Sequence, residues 1–99
     1  MAYVSIVNDV ARISVSGEII NTTIKQIKAE LEAAYQSGCT KVVFDFIKTT
    51  DIESAGITGM YQIRNKVGSN NFCVINPNRE IYEALYSAKL NDWIRSDVT

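Results

Sequence analysis

The sequence predicts an α/β domain in which a mixed β-sheet is covered mainly on one side by helices. Short runs of β-branched and aromatic residues alternate with longer segments whose apolar residues recur every three or four positions. One of these helical segments separates the second and third predicted strands, as a crossover between parallel strands requires. The predicted order is β-β-α-β-α-β-α, and Trp93-Ile94 could add a last short strand.

The chain begins with a predicted β-hairpin. Residues 2–7 and 10–16 are alternating runs of β-formers, and the dipeptide Asn8-Asp9 between them tolerates positive φ. We expect the second strand to end at Gly17-Glu18. Its inward face carries Ala11, Ile13 and Val15.

The first predicted helix follows and ends at Gly38. Its start has two candidates: Asn21 as the N-cap, or a capping box of Thr23 with Gln26. The apolar stripe that defines it consists of Ile20, Ile24, Ile27, Leu31 and Ala34.

The centre of the chain predicts a buried strand over residues 41–46, a loop over residues 47–52 and a second helix from Ser54 to a stop at Gly68. A serine at a helix start normally caps the helix with its hydroxyl. The free N–H groups of the first turn also favour an added anion there. The helix is predicted to bury Met60, Ile63 and Val67 and to expose Thr58, Tyr61, Gln62 and Asn65.

A short buried strand is predicted over residues 72–75, and a third helix follows it. Asn76 is the expected N-cap and Pro77 the expected first helical residue, where the missing N–H of proline has no consequence. The inner stripe of this helix is predicted to be Ile81, Ala84, Leu85 and Ala88. Tyr35, Tyr82, Tyr86 and Trp93 are expected at the edge of the core.

Composition limits the functions open to the chain. Its 99 residues form one domain, and a net charge of −1 argues against binding nucleic acid or an anionic membrane by electrostatics. The start lacks the features of a signal peptide, and no apolar run approaches the roughly 18 residues of a membrane span. We therefore expect a cytoplasmic protein.

The absence of histidine removes imidazole bases and the commonest metal ligands. Cys39 and Cys73 lack metal-binding spacing and are expected to be reduced packing residues. No catalytic residue, metal site or cofactor is therefore predicted.

Two further patterns have an ordinary explanation. Asp45 lies in a predicted strand while Asp51 and Glu53 lie in a predicted loop, so a solvated acidic loop is favoured over a carboxylate cluster. Gly56 and Gly59 form a GxxG, but acidic residues precede it, which favours helix packing over contact with a nucleic-acid backbone.

The central stretch resembles the STAS domain of the anti-sigma factor antagonist family. The resemblance rests on the strand VVFDF, the run Glu53-Ser54-Ala55-Gly56 and the following helix with Gly59. The family motif is usually Asp-Ser-Ser-Gly or Asp-Ser-Thr-Gly, and its first serine is phosphorylated by a partner kinase. That serine corresponds to Ser54. Glu53 replaces the family's aspartate, Ala55 its second hydroxyl, and Ile20 an aspartate that commonly precedes the first helix.

The resemblance implies a STAS-like fold over residues 1–99, without the family's C-terminal helix, and a non-enzymatic module of bacterial signal transduction and transcription regulation. Unphosphorylated, it would dock a serine kinase of the anti-sigma factor type; phosphorylated on Ser54, it would release the kinase. A metal-dependent serine phosphatase would reset it, and ATP and Mg²⁺ would belong to the kinase. The implied docking rim is Asp51, Glu53, Ile57, Thr58 and Tyr61.

Two alternatives stay open. Some small STAS proteins bind a transporter ATPase as constitutive subunits, and the departures at Ile20 and Ala55 are compatible with that role. The other alternative is a nucleotide or other small ligand in the cleft between sheet and helices.

Overall fold

The computed structural model describes residues 2–95. Within them, six strands and three α-helices follow one another along the chain, and the predicted α/β class is confirmed. Two short 3-10 helices, Ser69–Asn71 and Asn91–Trp93, complete the secondary structure. The strands and helices are β1 (Ala2–Val7), β2 (Val10–Val15), β3 (Gly17–Ile19), α1 (Asn21–Gln36), β4 (Lys41–Asp45), β5 (Thr49–Ile52), α2 (Ser54–Val67), β6 (Phe72–Ile75) and α3 (Arg79–Ser87).

The main sheet has four strands in the order β1-β2-β4-β6. The predicted hairpin is confirmed: β1 and β2 are antiparallel, and Asn8 in the turn has a φ of 58°. β4 runs parallel to both β2 and β6, as the crossover through α1 requires. The sheet is therefore mixed, with an antiparallel edge at β1.

Two strands were not predicted. β3 and β5 pair in parallel as a separate two-stranded sheet, so Gly17 begins a strand, and residues 49–52 are strand instead of loop. Gly17 has a φ of 94°, which turns the chain out of the main sheet, and its N–H donates to the Lys48 carbonyl at 3.1 Å. The buried Thr49 hydroxyl donates to the Val15 carbonyl at 2.7 Å. Pairing between distant segments therefore stabilises strands too short to show their own periodicity.

The core lies between the main sheet and the helices, and the opposite face of the sheet carries a much smaller apolar cluster of Val43, Cys73 and Ile75. The predicted unequal covering is thus confirmed. Trp93 was expected at the core edge, but only 2% of it is exposed. Its ring packs 5.1 Å from that of Phe72, centroid to centroid.

The last strand expected at Trp93-Ile94 is reduced to a single bridge. Ile94 pairs in parallel with Val74, and the Arg95 N–H donates to the Val74 carbonyl at 2.9 Å. Residues 91–93 instead form a 3-10 turn.

The predicted start of α1 is wrong. Ile20 is the N-cap, so no side chain caps the helix, and Asn21 is its first residue. The Thr23 hydroxyl donates to the Glu18 carbonyl at 3.3 Å. Because Ile20 continues directly from β3, the extended backbone of that strand fixes where the helix begins.

The predicted start of α3 is also wrong, by two residues. Asn78 caps it by accepting from the Ile81 N–H at 2.8 Å, so Pro77 precedes the helix. Asn76 has a φ of 56° and lies in the turn after β6. Ile81 and Leu85 are buried as predicted, but Ala88 is exposed at the C-cap.

Candidate functional site

The candidate site is the start of α2, which the small β3-β5 sheet holds in place. The Glu53 N–H donates to the Ile19 carbonyl at 3.0 Å, directly after the paired residues Ile19 and Ile52. The Ile57 N–H then donates to the Glu53 carbonyl at 3.1 Å and closes the first turn. The direction in which α2 leaves the sheet is therefore fixed by backbone hydrogen bonds.

Ser54 is the first residue of α2 and is exposed. The predicted start of the helix at Ser54 is therefore confirmed. Ser54 does not have the usual role of a serine there, because the N-cap is Glu53, with an extended backbone and no side-chain cap. Glu53 has an extended backbone, and its N–H is bonded to the Ile19 carbonyl of β3, so Glu53 takes the cap position and Ser54 becomes the first helical residue. Within residues 2–95, the Ser54 hydroxyl makes no capping bond to α2.

Two glycines let α2 approach its neighbours closely. A Cβ on Gly56 would lie 2.7 Å from Ile19 Cγ2 and 2.9 Å from the Ile19 carbonyl oxygen. A Cβ on Gly59 would overlap the side chain of Ile24 on α1. The helix-packing explanation of the GxxG is therefore confirmed, since neither position has space for a side chain.

The first turn of α2 has free backbone N–H groups. The N–H groups of residues 54–56 precede the first bond of the helix, and the helix dipole adds to their partial charge. No acidic residue lies in this turn. Asp51 and Glu53 are the acids nearest in sequence, and Asp51 accepts from the Ile52 N–H at 2.8 Å. The arrangement is favourable for an anion on Ser54.

The predicted rim residues mostly lie on the surface. Ser54, Thr58 and Tyr61 are separated by four and three residues, so they share one side of α2. Tyr61 is 46% exposed, and its ring lies 6.3 Å from that of Trp93, centroid to centroid. Ile57 is half-buried against the core. Asp51 belongs to β5 and not to a loop, although it is exposed as expected, as is Glu53.

Asp45 takes no part in this site. Arg12 donates to its carboxylate at 2.7 Å, Asn76 at 3.0 Å and the Ile47 N–H at 3.1 Å. Burial acts to raise the pKa of Asp45, but these hydrogen bonds and the charge of Arg12 outweigh it, so the pKa is lowered. The residues that the structure describes contain no group of three acidic or cysteine side chains that could hold a metal ion.

Sequence reasoning missed two residues that support the site. The Asn78 amide donates to the carbonyls of Thr49 and Thr50, at 3.1 and 3.2 Å, and so ties α3 to β5. Lys28 on α1 donates to Gln62 on α2. An asparagine three residues before a buried isoleucine could have identified the first, because that spacing is typical of an N-cap. No local sequence pattern indicates the contact between Lys28 and Gln62.

These features define a class of protein: a small α/β domain that presents an exposed serine at a rigidly held helix start. The model of the STAS domain family matches residues 3–99, and the chain therefore belongs to that family. A search of curated proteins gave no match. None of the helices within residues 2–95 is long and apolar enough to span a membrane.

Several solved structures with a similar fold are anti-sigma factor antagonists. Unphosphorylated SpoIIAA superposes with a TM-score of 0.83 at 17% identity, over 99% of this chain and 89% of that one. Phosphorylated SpoIIAA from Bacillus gives 0.76 at 17% identity, over 99% and 92%. An anti-sigma factor antagonist from Mycobacterium paratuberculosis gives 0.77 at 21% identity, over 92% and 79%. At these identities the likeness establishes the fold.

Proposed function

We propose that this chain is a phosphorylation-controlled binding module and not an enzyme. Unphosphorylated, it docks a serine kinase of the anti-sigma factor type; phosphorylation of Ser54 releases that kinase, and a metal-dependent serine phosphatase resets the cycle. ATP and Mg²⁺ belong to the kinase, and the cycle takes place in the bacterial cytoplasm, where it controls transcription. The observation that carries the proposal is the exposed Ser54 at the first position of α2.

The position of Ser54 suits a phosphate acceptor. Its hydroxyl does not cap the helix, so phosphorylation removes no cap. A phosphate adds about −1.5 to −2 charges, which the N–H groups and dipole of the first turn favour. The domain can therefore accept the modification without refolding.

The same charge would oppose a bound partner. A phosphate on Ser54 lies in sequence beside Asp51 and Glu53, which are both exposed and would be covered with it. A like-charge contact at about 4 Å between the phosphate and an acidic group of the partner would cost about 4 kcal/mol at an effective dielectric constant of 20. Only about 2.7 kcal/mol is needed for a hundredfold loss of affinity. A single repulsive contact is therefore enough to release the partner.

The docking surface extends from Ser54 along α2. Thr58, Tyr61 and Asn65 are exposed and uncharged, and Ile57 adds a half-buried apolar contact. Tyr61 rests against the buried Trp93, which limits the freedom that its ring would lose on binding. A supported aromatic residue in a mostly uncharged strip is typical of an interface anchor. The similarity to SpoIIAA, solved in unphosphorylated and phosphorylated forms, is further support.

The proposal is tested by incubating the protein with its cognate kinase and ATP and mapping the phosphate by mass spectrometry. We expect phosphate on Ser54, none on the Ser54→Ala variant, and unchanged incorporation in Ser69→Ala. Ser69 is the matched control because it is also an exposed serine next to a helix start. Phosphate on another residue of the wild-type protein would refute the assignment.

A constitutive subunit of a transporter ATPase or another complex is the second candidate, and Ile20 is the observation that favours it. Ile20 directly follows the residue whose carbonyl binds Glu53, and it is half-buried. An apolar side chain therefore lies near the start of α2 at the position where the family commonly has an aspartate. Under this candidate, Ser54→Asp would bind the partner as tightly as the wild type.

A further inference from the structure

β1 forms one edge of the main sheet, and its outer side has no partner strand within residues 2–95. In an antiparallel pair, every second residue directs its N–H and C=O away from the neighbouring strand. The opposite edge, β6, is different, because Ile94 and Arg95 pair with Val74 there. Within residues 2–95, the edge at β6 is thus partly covered at Val74, whereas the edge at β1 is open along its whole length.

β1 has none of the features that usually protect an edge strand. Its sequence, AYVSIV, contains no charge, proline or glycine. Its pairing with β2 runs through six residue pairs from Ala2 to Val7 without a bulge. Three of its apolar side chains are exposed: Tyr3 at 73%, Val7 at 65% and Ile6 at 48%. An uncharged, apolar edge without a bulge is a template for another strand.

We propose that β1 pairs antiparallel with β1 of a second copy of this chain, which joins two four-stranded sheets into one continuous sheet. The symmetry of such a pair is a two-fold axis perpendicular to the sheet, so the helices of both copies lie on the same side. Residues opposite each other must then share a face, which restricts the allowed registers.

The register centred on Ser5 fits these constraints. It places Tyr3 opposite Val7 on the open face, and Val4 opposite Ile6 on the helix face. Aromatic with β-branched pairs are among the favourable cross-strand pairs, and each occurs twice in a symmetric dimer. The register covers all three exposed apolar side chains of β1 at once.

A second copy fits this edge better than an unrelated peptide. Under two-fold symmetry, a strand with charged side chains would place like charges near one another. β1 has no charged side chain, so its pairing with a second copy brings no such repulsion between the two strands. The apolar side chains of one copy also provide the complement for those of the other. The argument for this interaction uses β1 only and does not rest on Ser54, which belongs to α2.

The test is sedimentation velocity of the full chain from micromolar to millimolar concentration. We expect a concentration-dependent dimer. Ser5→Lys places two like charges at the axis and should raise the dimer dissociation constant about tenfold or more. Ser69→Lys, the matched control, adds the same charge at an exposed position of another element and should leave association unchanged. Mixing Ser5→Lys with Ser5→Glu should restore the dimer.

Cross-linking tests the register separately. Ser5→Cys should form a disulfide between copies under mild oxidation, because opposite residues of antiparallel strands lie within disulfide range. Tyr3→Cys should not, since Tyr3 would face Val7. The native Cys39 and Cys73 are buried and give little background.

A protein that stays monomeric at all concentrations would overturn the proposal. So would a dimer that Ser5→Lys leaves intact, or one that Ser69→Lys weakens equally. If Ser5→Lys fails to fold, the wild-type concentration series and the Ser5→Cys cross-link still decide the question. Cross-linking of Tyr3→Cys as fast as Ser5→Cys would overturn the register.

Discussion

Substituting alanine for Gly56 should displace the start of α2, which carries the proposed site. The added Cβ would meet Ile19 Cγ2 at 2.7 Å, the Ile19 carbonyl oxygen at 2.9 Å and Ile52 Cγ1 at 3.1 Å. The carbonyl cannot move aside freely, because it accepts the Glu53 N–H at 3.0 Å. The helix must therefore shift away from the β3-β5 sheet.

Two opposing effects decide the size of the change. Overpacking of this kind costs about 1–3 kcal/mol. Alanine is favoured over glycine by up to about 1 kcal/mol within a helix, and by less in the first turn. The net loss should be about 1–2 kcal/mol, which lowers the melting temperature by roughly 4–15 °C in a domain of this size. The rate of Ser54 phosphorylation should fall as well, since the acceptor moves with the helix.

Gly59 provides the matched comparison. All three atoms nearest to a Cβ added there belong to the Ile24 side chain, whereas at Gly56 one of them is a backbone oxygen. Thermal or denaturant unfolding of single and double variants should show that Ile24→Ala removes most of the destabilisation caused by Gly59→Ala. Ile19→Ala should relieve Gly56→Ala only in part. A Gly56→Ala variant as stable as the wild type would refute the packing argument.

Three further predictions concern charge, docking and catalysis. Asp45→Asn should destabilise the fold by about 1–3 kcal/mol at neutral pH. Because the pKa of Asp45 is lowered on folding, its contribution is present above about pH 4 and is lost as the pH falls through the folded pKa; an unchanged acid limb of the stability–pH curve in Asp45→Asn would contradict this. Tyr61→Ala should weaken partner binding more than about tenfold in calorimetry, with at most about 1.5 kcal/mol of stability lost from the Trp93 contact; unaltered affinity would exclude Tyr61 from the interface. The isolated protein should hydrolyse phosphate esters and ATP at background rates only, and hydrolysis that a point mutation abolishes would disprove this.

Local sequence patterns were enough for the elements that form the main sheet. The alternation in Val10–Val15 and the three- and four-residue spacing in α1 both report directly on which face is buried. The parallel direction of β4 followed from the length of the crossover. These elements carry their own periodicity, so a single sequence reveals them.

The β3-β5 sheet could not be predicted in the same way. β3 has three residues and β5 has four, and each strand is stabilised by its pairing with the other. The Thr49 hydroxyl of β5 also donates to the Val15 carbonyl, which is distant in the chain. This sheet also explains why Glu53, and not Ser54, is the N-cap of α2. Glu53 becomes the N-cap because its N–H is bonded to the Ile19 carbonyl, and a side-chain cap rule contains no information about that long-range contact. The sequence therefore predicted that α2 begins at Ser54, but it did not predict that Glu53 would be the N-cap.

The central claim is that phosphorylation of Ser54 controls partner binding, and calorimetry with the cognate kinase tests it most directly. The unphosphorylated protein and the Ser54→Ala variant should bind the kinase with similar affinity. The protein phosphorylated on Ser54 should bind at least about a hundredfold more weakly, because one like-charge contact of about 4 kcal/mol exceeds the roughly 2.7 kcal/mol that a hundredfold loss requires. Equal affinity of the phosphorylated and unphosphorylated forms would contradict the claim and would favour the constitutive subunit.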